Sequence, residues 1–125
     1  MPELHAPAGP RVLLVEDDAA IRDTLAELLR EEGCAVTPVS HGREALAQLR
    51  RSALPDVIIL DLMMPVMDGW EFRRQQQADP ALAPVPVIVL SALDQARASS
   101  LEAEGFLKKP LDFDRLISLV RTYCH

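Results

Sequence analysis

Six residues able to do chemistry stand at or just beyond the ends of apolar runs in this chain. Glu16, Asp17 and Asp18 follow Val12–Val15, Asp61 follows Val57–Leu60, Ser91 follows Val87–Leu90, and Lys109 stands two residues after Phe106-Leu107. Acids, a hydroxyl and an ammonium placed this way have a definite chemical use. Two carboxylates about 5 Å apart repel by roughly 3 kcal/mol at an effective dielectric near 20, so clustered acids raise one another's pKa unless a cation offsets them. Oxygen-only ligands select a hard ion, and few protein ligands with room for waters favour Mg²⁺ over Ca²⁺. A carboxylate beside Mg²⁺ and a lysine is a place for a phosphoryl group, and Asp61 is suited to attack phosphorus and form an acyl phosphate. Lysine usage points the same way. Of the 13 basic residues only Lys108 and Lys109 are lysines, so a compact point charge rather than a planar fork stands at this one place.

The elements that must position these residues are legible in the periodicities. Val57–Leu60 and Val87–Leu90 are continuous, β-branched runs of the kind found in strands buried on both faces of a parallel sheet. Between the strands Ile21, Leu25, Leu28 and Leu29, then Ala45, Leu46 and Leu49, recur at helical spacing, and Gly33 supplies a helix stop. Ala35–Val39 has strand length, and Gly42–Arg51 reads as the second helix. Pro65 and Asp68-Gly69 form a loop after Asp61, with Glu71 placed for a capping box on Asp68. The third helix, Trp70 to Ala78, has a thin apolar face and is predicted to pack only through its first turns. A fourth helix is expected between about Asp94 and Glu104, a short strand at Phe106-Leu107, and a last helix from Asp112 or Asp114 carrying Phe113, Leu116, Ile117 and Val120 on one face. This alternation calls for a doubly wound α/β fold. Its strand C-termini share one rim, where such folds bind ligands.

Composition excludes several function classes. A formal charge of -6 and a pI near 5.0 leave no basic stripe for direct nucleic-acid binding. Cys34 and Cys124 lie far apart with no Cys-x-x-Cys pattern, and read as reduced thiols of a cytoplasmic protein rather than a zinc or redox site. Residues 1–10, with three prolines, are expected to form a loose, disordered tail and lack the pattern of a signal peptide. No apolar run reaches membrane-spanning length, so no membrane partner is expected. His5, His41 and His125 are scattered and are expected on the surface, while Trp70 is expected to be a packing anchor near the rim.

Taken in order, Val-Leu-Leu-Val-Glu-Asp-Asp at 12–18, Ile-Leu-Asp-Leu-Met-Met-Pro-Val-Met-Asp-Gly at 59–69, Val-Ile-Val-Leu-Ser-Ala at 87–92 and Phe-Leu-Lys-Lys-Pro at 106–110 resemble the receiver domain of two-component response regulators. The resemblance covers residues 11–124 and implies a (βα)5 flavodoxin-like parallel five-stranded sheet of order 2-1-3-4-5. It implies a stand-alone regulatory phosphoacceptor rather than an enzyme, taking a phosphoryl group onto Asp61 from a histidine kinase or histidine phosphotransfer protein and changing its contacts with an unknown downstream protein. By the same resemblance Glu16 and Asp17 hold Mg²⁺, with Asp17 a direct ligand, Asp61 a second and the backbone carbonyl of Met63 a third. Ser91 binds a phosphoryl oxygen and moves toward it, Lys109 pairs with the phosphoryl group, and Phe106 is the aromatic switch. The Lys109-Pro110 bond resembles one often cis in the family, and Asp18 reads as a helix cap.

The chain departs from the family pattern in two places. The stretch from Ser91 to Lys109 is about one helical turn shorter than the family leads one to expect, and Glu102 stands where a glycine usually precedes the fifth strand. Met63 and Leu93 would flank the path of an attacking water and can orient none, so slow autodephosphorylation is expected. Two other readings stay open: a phosphorylation-independent (pseudo-receiver) interaction module, and a Mg²⁺-dependent phosphohydrolase, which would want a second acid where Met63 stands.

Overall fold

The computed structural model describes residues 9–62, 67–92 and 102–123. Its elements in chain order are β1 (Arg11–Val15), α1 (Ala19–Glu31), β2 (Ala35–Val39), α2 (Gly42–Arg51), β3 (Val57–Asp61), α3 (Gly69–Ala78), β4 (Val87–Ser91), β5 (Gly105–Lys108) and α4 (Phe113–Tyr123). The strands form one sheet in the order β2-β1-β3-β4-β5, with every pairing parallel.

Burial explains the composition of the strands. All five residues of β3 and of β4 are buried, which is why those runs are apolar without alternation. Successive side chains feed opposite faces. Leu13, Val15, Ile58, Leu60, Val87 and Val89 pack with Ala45, Leu46 and Leu49 of α2 and Phe72 of α3. Val12, Leu14, Val57, Ile59, Ile88 and Leu90 pack with Leu25, Ala26 and Leu29 of α1 and Leu116 and Val120 of α4. The edge strand β2 exposes Thr37 and is less buried.

Local chemistry sets the helix ends. Asp18 caps α1, its carboxylate accepting from the Ile21 N–H at 3.1 Å. The chain leaves α1 through Gly33 at φ +93°, a left-handed conformation that glycine adopts without strain. Asp112 begins α4, accepting from the Arg115 N–H at 3.3 Å. His41, expected on the surface, is half-buried and caps α2: its Nδ1 accepts from the Glu44 N–H at 3.2 Å. Glu44 reaches back to the Ser40 N–H at 2.7 Å, and these Ser40 hydrogen bonds hold its carboxyl below the ordinary value. His5, His125 and Cys124 lie outside the described residues, as do residues 1–8 of the expected tail; Cys34 is a buried free thiol.

Three expectations need correction. Asp68 caps α3 through the Glu71 N–H at 2.9 Å, but the Glu71 carboxylate turns to Arg74 and Gln75 instead of closing the box. The buried face of α3 does not stop after its first turns. It continues through Arg73, 4% exposed, and Gln76, 0% exposed, because their polar groups find partners inside: Gln76 Nε2 donates to the Leu82 and Val85 carbonyls at 3.0 and 3.1 Å. The expected fourth helix falls mostly on residues 93–101, outside the described residues, but its predicted end, 102–104, is not helical. Glu102 there sits at φ +53°, the conformation a glycine would favour.

Candidate functional site

The parallel register carries the chemically capable residues to one rim. Val15 pairs with Leu60, so Glu16 and Asp61 emerge side by side; Asp61 pairs with Leu90, and Ser91 with Lys108. Backbone bonds continue the ladder past the strands, with the Glu16 N–H donating to Val39 O at 3.1 Å and the Lys109 N–H to Ser91 O at 2.9 Å. The start of α3 is held tight against the end of β3. Gly69 N–H donates to Leu62 O at 2.9 Å, and a Cβ on Gly69 would lie 2.8 Å from the Leu62 Cα, so only glycine fits there without displacement.

Carboxylate oxygens of Glu16, Asp17 and Asp61 lie within 4.8 Å of one another. Lys109 Nζ stands 3.6 Å from Glu16 Oε1 and 3.6 Å from Asp61 Oδ2. Glu16, Asp61 and Ser91 are buried, at 1%, 3% and 0% exposure, while Asp17 faces solvent. The structure brings together at this rim the five residues Glu16, Asp17, Asp61, Ser91 and Lys109 singled out in the sequence. The environment works on Glu16: burial, then a hydrogen bond to Asp61 and the Asp61 charge, push its carboxyl up to about 7 against the Asp18 N–H and Lys109. Glu16 Oε1 is buried and has no hydrogen-bond partner among the described residues, Lys109 lying beyond that range.

Those observations form a test for a divalent cation. An orphaned buried oxygen, an acid pushed toward its neutral form by burial and by a neighbouring acid, and an exposed third carboxylate constitute a hard, oxygen-only donor set open to water on one side, which fits Mg²⁺. Met63 and Leu93 lie outside the described residues. Phe106 is half-buried and packs against the core on the α2/α3 side. Trp70 also packs against that core, as expected of an anchor. The Lys109-Pro110 peptide is cis.

Sequence reasoning missed one residue of the rim. Arg22, in the second turn of α1, donates from Nη1 to the Glu16 carbonyl at 3.2 Å, bracing the peptide that joins Glu16 to Asp17. Its contact is with a backbone carbonyl, which leaves no signal in the side-chain pattern.

Comparison with known proteins agrees with this geometry. The family model for the response regulator receiver domain matches residues 12–121. The sensory transduction protein RegX3 of Mycolicibacterium smegmatis is 39% identical over 114 residues, 88% of this chain and 48% of that protein. The chain thus spans about half the length of the RegX3 relatives it matches. Among solved structures, the signal receiver domain of a histidine kinase from Syntrophus aciditrophicus superposes with a TM-score of 0.85 at 34% identity, covering 91% of this chain and 89% of that one. The receiver domain of the sensor histidine kinase PA1611 from Pseudomonas aeruginosa, solved with a magnesium ion coordinated in its active site cleft, gives 0.82 at 32% identity over 93% of this chain and 98% of that one.

Proposed function

Since the chain belongs to the response regulator receiver family of two-component signalling, we propose that it is a working phosphoacceptor: Asp61 takes a phosphoryl group from a phosphohistidine with the help of Mg²⁺. The observation that carries this reading is the convergence of three carboxylates within 4.8 Å with Lys109 Nζ at 3.6 Å from two of them. A carboxylate oxygen of Asp61 attacks phosphorus as the bond to the histidine nitrogen breaks, and the imidazole leaves with that electron pair. Glu16, Asp17, Asp61 and the Met63 carbonyl are the residues that would hold Mg²⁺, which when bound supplies positive charge against the phosphoryl oxygens.

Lys109 offsets the charge of Asp61 in the resting protein and is free to turn to the phosphoryl group once that carboxylate is esterified. Ser91, at the end of β4, offers a hydroxyl to a phosphoryl oxygen, and its displacement is read out by Phe106 through packing. The reading is of a regulatory protein, cytoplasmic, that meets a histidine kinase or phosphotransfer protein and signals through altered protein contacts; it turns over no external substrate. Met63 and Leu93 carry no group to orient water, which supports a long-lived acyl phosphate. The test is intact mass after incubation with acetyl phosphate and Mg²⁺. One added phosphoryl group, labile to hydroxylamine and absent from Asp61→Asn, is expected; its absence from the parent in saturating Mg²⁺ would refute the reading.

A further inference from the structure

The opposite rim carries a buried charged network that the site does not use. Arg73 of α3, its side chain 5% exposed, donates from Nη1 to Gln76 Oε1 at 2.8 Å and from Nη2 to the Glu102 carbonyl at 2.8 Å, with Glu104 Oε1 at 3.9 Å. That same Glu104 oxygen accepts from the Val87 N–H at 2.8 Å, and the Glu104 N–H donates to Val87 O at 3.0 Å. Tyr123, at the end of α4, donates its hydroxyl to the Glu104 carbonyl at 2.8 Å. A guanidinium is the one side chain whose rigid fork can bridge an amide and a carbonyl at once without losing its charge inside a protein. Burial lowers its pKa, and Glu104 and Glu102 act in the opposite sense.

What it grips is the lead-in to β5. That strand is four residues long, lies at the edge of the sheet and pairs only with β4, so its own ladder specifies register weakly. A slip of one residue would exchange Phe106, which packs on the α2/α3 side, with Leu107, which packs on the α1/α4 side, and would move the following Lys109 by about 3.3 Å. Glu102, gripped through its carbonyl, sits at φ +53°, a conformation costly for a residue bearing a Cβ.

We propose that Arg73 is a latch that holds residues 102–104 against α3 in a strained conformation and thereby fixes the register of the strand delivering Phe106 and Lys109. The part concerning Lys109 rests on the function proposed above; the latch itself does not.

A thermal double-mutant cycle tests it. Glu102→Gly relieves the left-handed strain and raises Tm by about 3 °C in the parent. In an Arg73→Met background, where the grip is gone and residue 102 relaxes, the gain disappears. Arg73→Lys, which keeps the charge but lacks the fork, gives the same loss of gain and serves if Arg73→Met does not fold. Amide exchange at Glu104 and Lys109 rises about tenfold in either Arg73 variant while the β1 and β3 amides are unchanged. Uptake of a phosphoryl group from acetyl phosphate slows with it, and Mg²⁺ affinity, set by residues at the ends of β1 and β3, is not weakened. Equal gains from Glu102→Gly in all backgrounds, or exchange rising equally throughout the sheet, would overturn the latch. Slowed uptake accompanied by weakened Mg²⁺ binding would overturn its bearing on Lys109. A parent that takes up no phosphoryl group would refute the proposed function, leaving the thermal cycle to decide the latch by itself.

Discussion

Glu16 is the residue on which the electrostatics of the rim can be read most directly. Its carboxyl is pushed up to about 7, by burial first and by Asp61 second. A carboxyl whose folded-state pKa exceeds its unfolded value stabilises the fold below the unfolded pKa and loses that contribution as pH rises through the folded one. In a chelator, therefore, unfolding free energy is expected to fall between about pH 4.5 and 7, by no more than about 3 kcal/mol from this group. Added Mg²⁺ should abolish the fall, because it gives the charged carboxylates a partner. Chemical denaturation at several pH values, with and without Mg²⁺, checks this; a flat chelator profile would contradict it. Lys109 supplies the opposing charge at 3.6 Å, so Lys109→Met should slow phosphoryl uptake by a factor of ten or more, about 1.4 kcal/mol in barrier. The same variant should steepen the chelator profile. Uptake at the parent rate would show that the ammonium plays no part. These residues were legible in the sequence because each ends an apolar run; Arg22 was not, since it acts on a backbone carbonyl, which leaves no mark on side-chain pattern.

At the scale of the element, α3 is where pattern reading failed, and the reason is physical. Apolar periodicity detects burial by the hydrophobic effect, whereas Arg73 and Gln76 are buried by satisfied hydrogen bonds. Gln76 Nε2 ties α3 to the turn before β4 through two carbonyls, Leu82 and Val85. Gln76→Leu keeps the volume but orphans both, so it is expected to destabilise by about 2 to 4 kcal/mol, measured by denaturant titration. A loss within experimental error would mean those carbonyls find other partners. The strands were legible because β3 and β4 are buried on both faces and admit no alternation. Glu102 announced itself only as a misfit, an acid where a glycine was expected, and its φ of +53° gives that misfit a structural meaning.

The whole molecule joins two rims through one sheet. Parallel pairing and right-handed crossovers restrict the topology to a few doubly wound forms, and the order β2-β1-β3-β4-β5 is the one among them that the family resemblance implied. The two rims differ in kind: one gathers three carboxylates, the site proposed for a cation and a phosphoryl group, while the other closes its polar groups on themselves through Arg73, Glu104 and Tyr123. The first rim leaves a buried carboxylate oxygen of Glu16 without a hydrogen-bond partner among the described residues, whereas the second satisfies its buried guanidinium and holds the strained Glu102. The most direct measurement treats the protein with acetyl phosphate and Mg²⁺, reduces it with borohydride, and locates the product by peptide mass. Reduction of an aspartyl phosphate leaves homoserine, expected at position 61 alone and dependent on Mg²⁺. Homoserine at Asp17 or any other aspartate, or an unreduced chain under saturating donor and metal, would contradict the assignment of Asp61 as the phosphoacceptor.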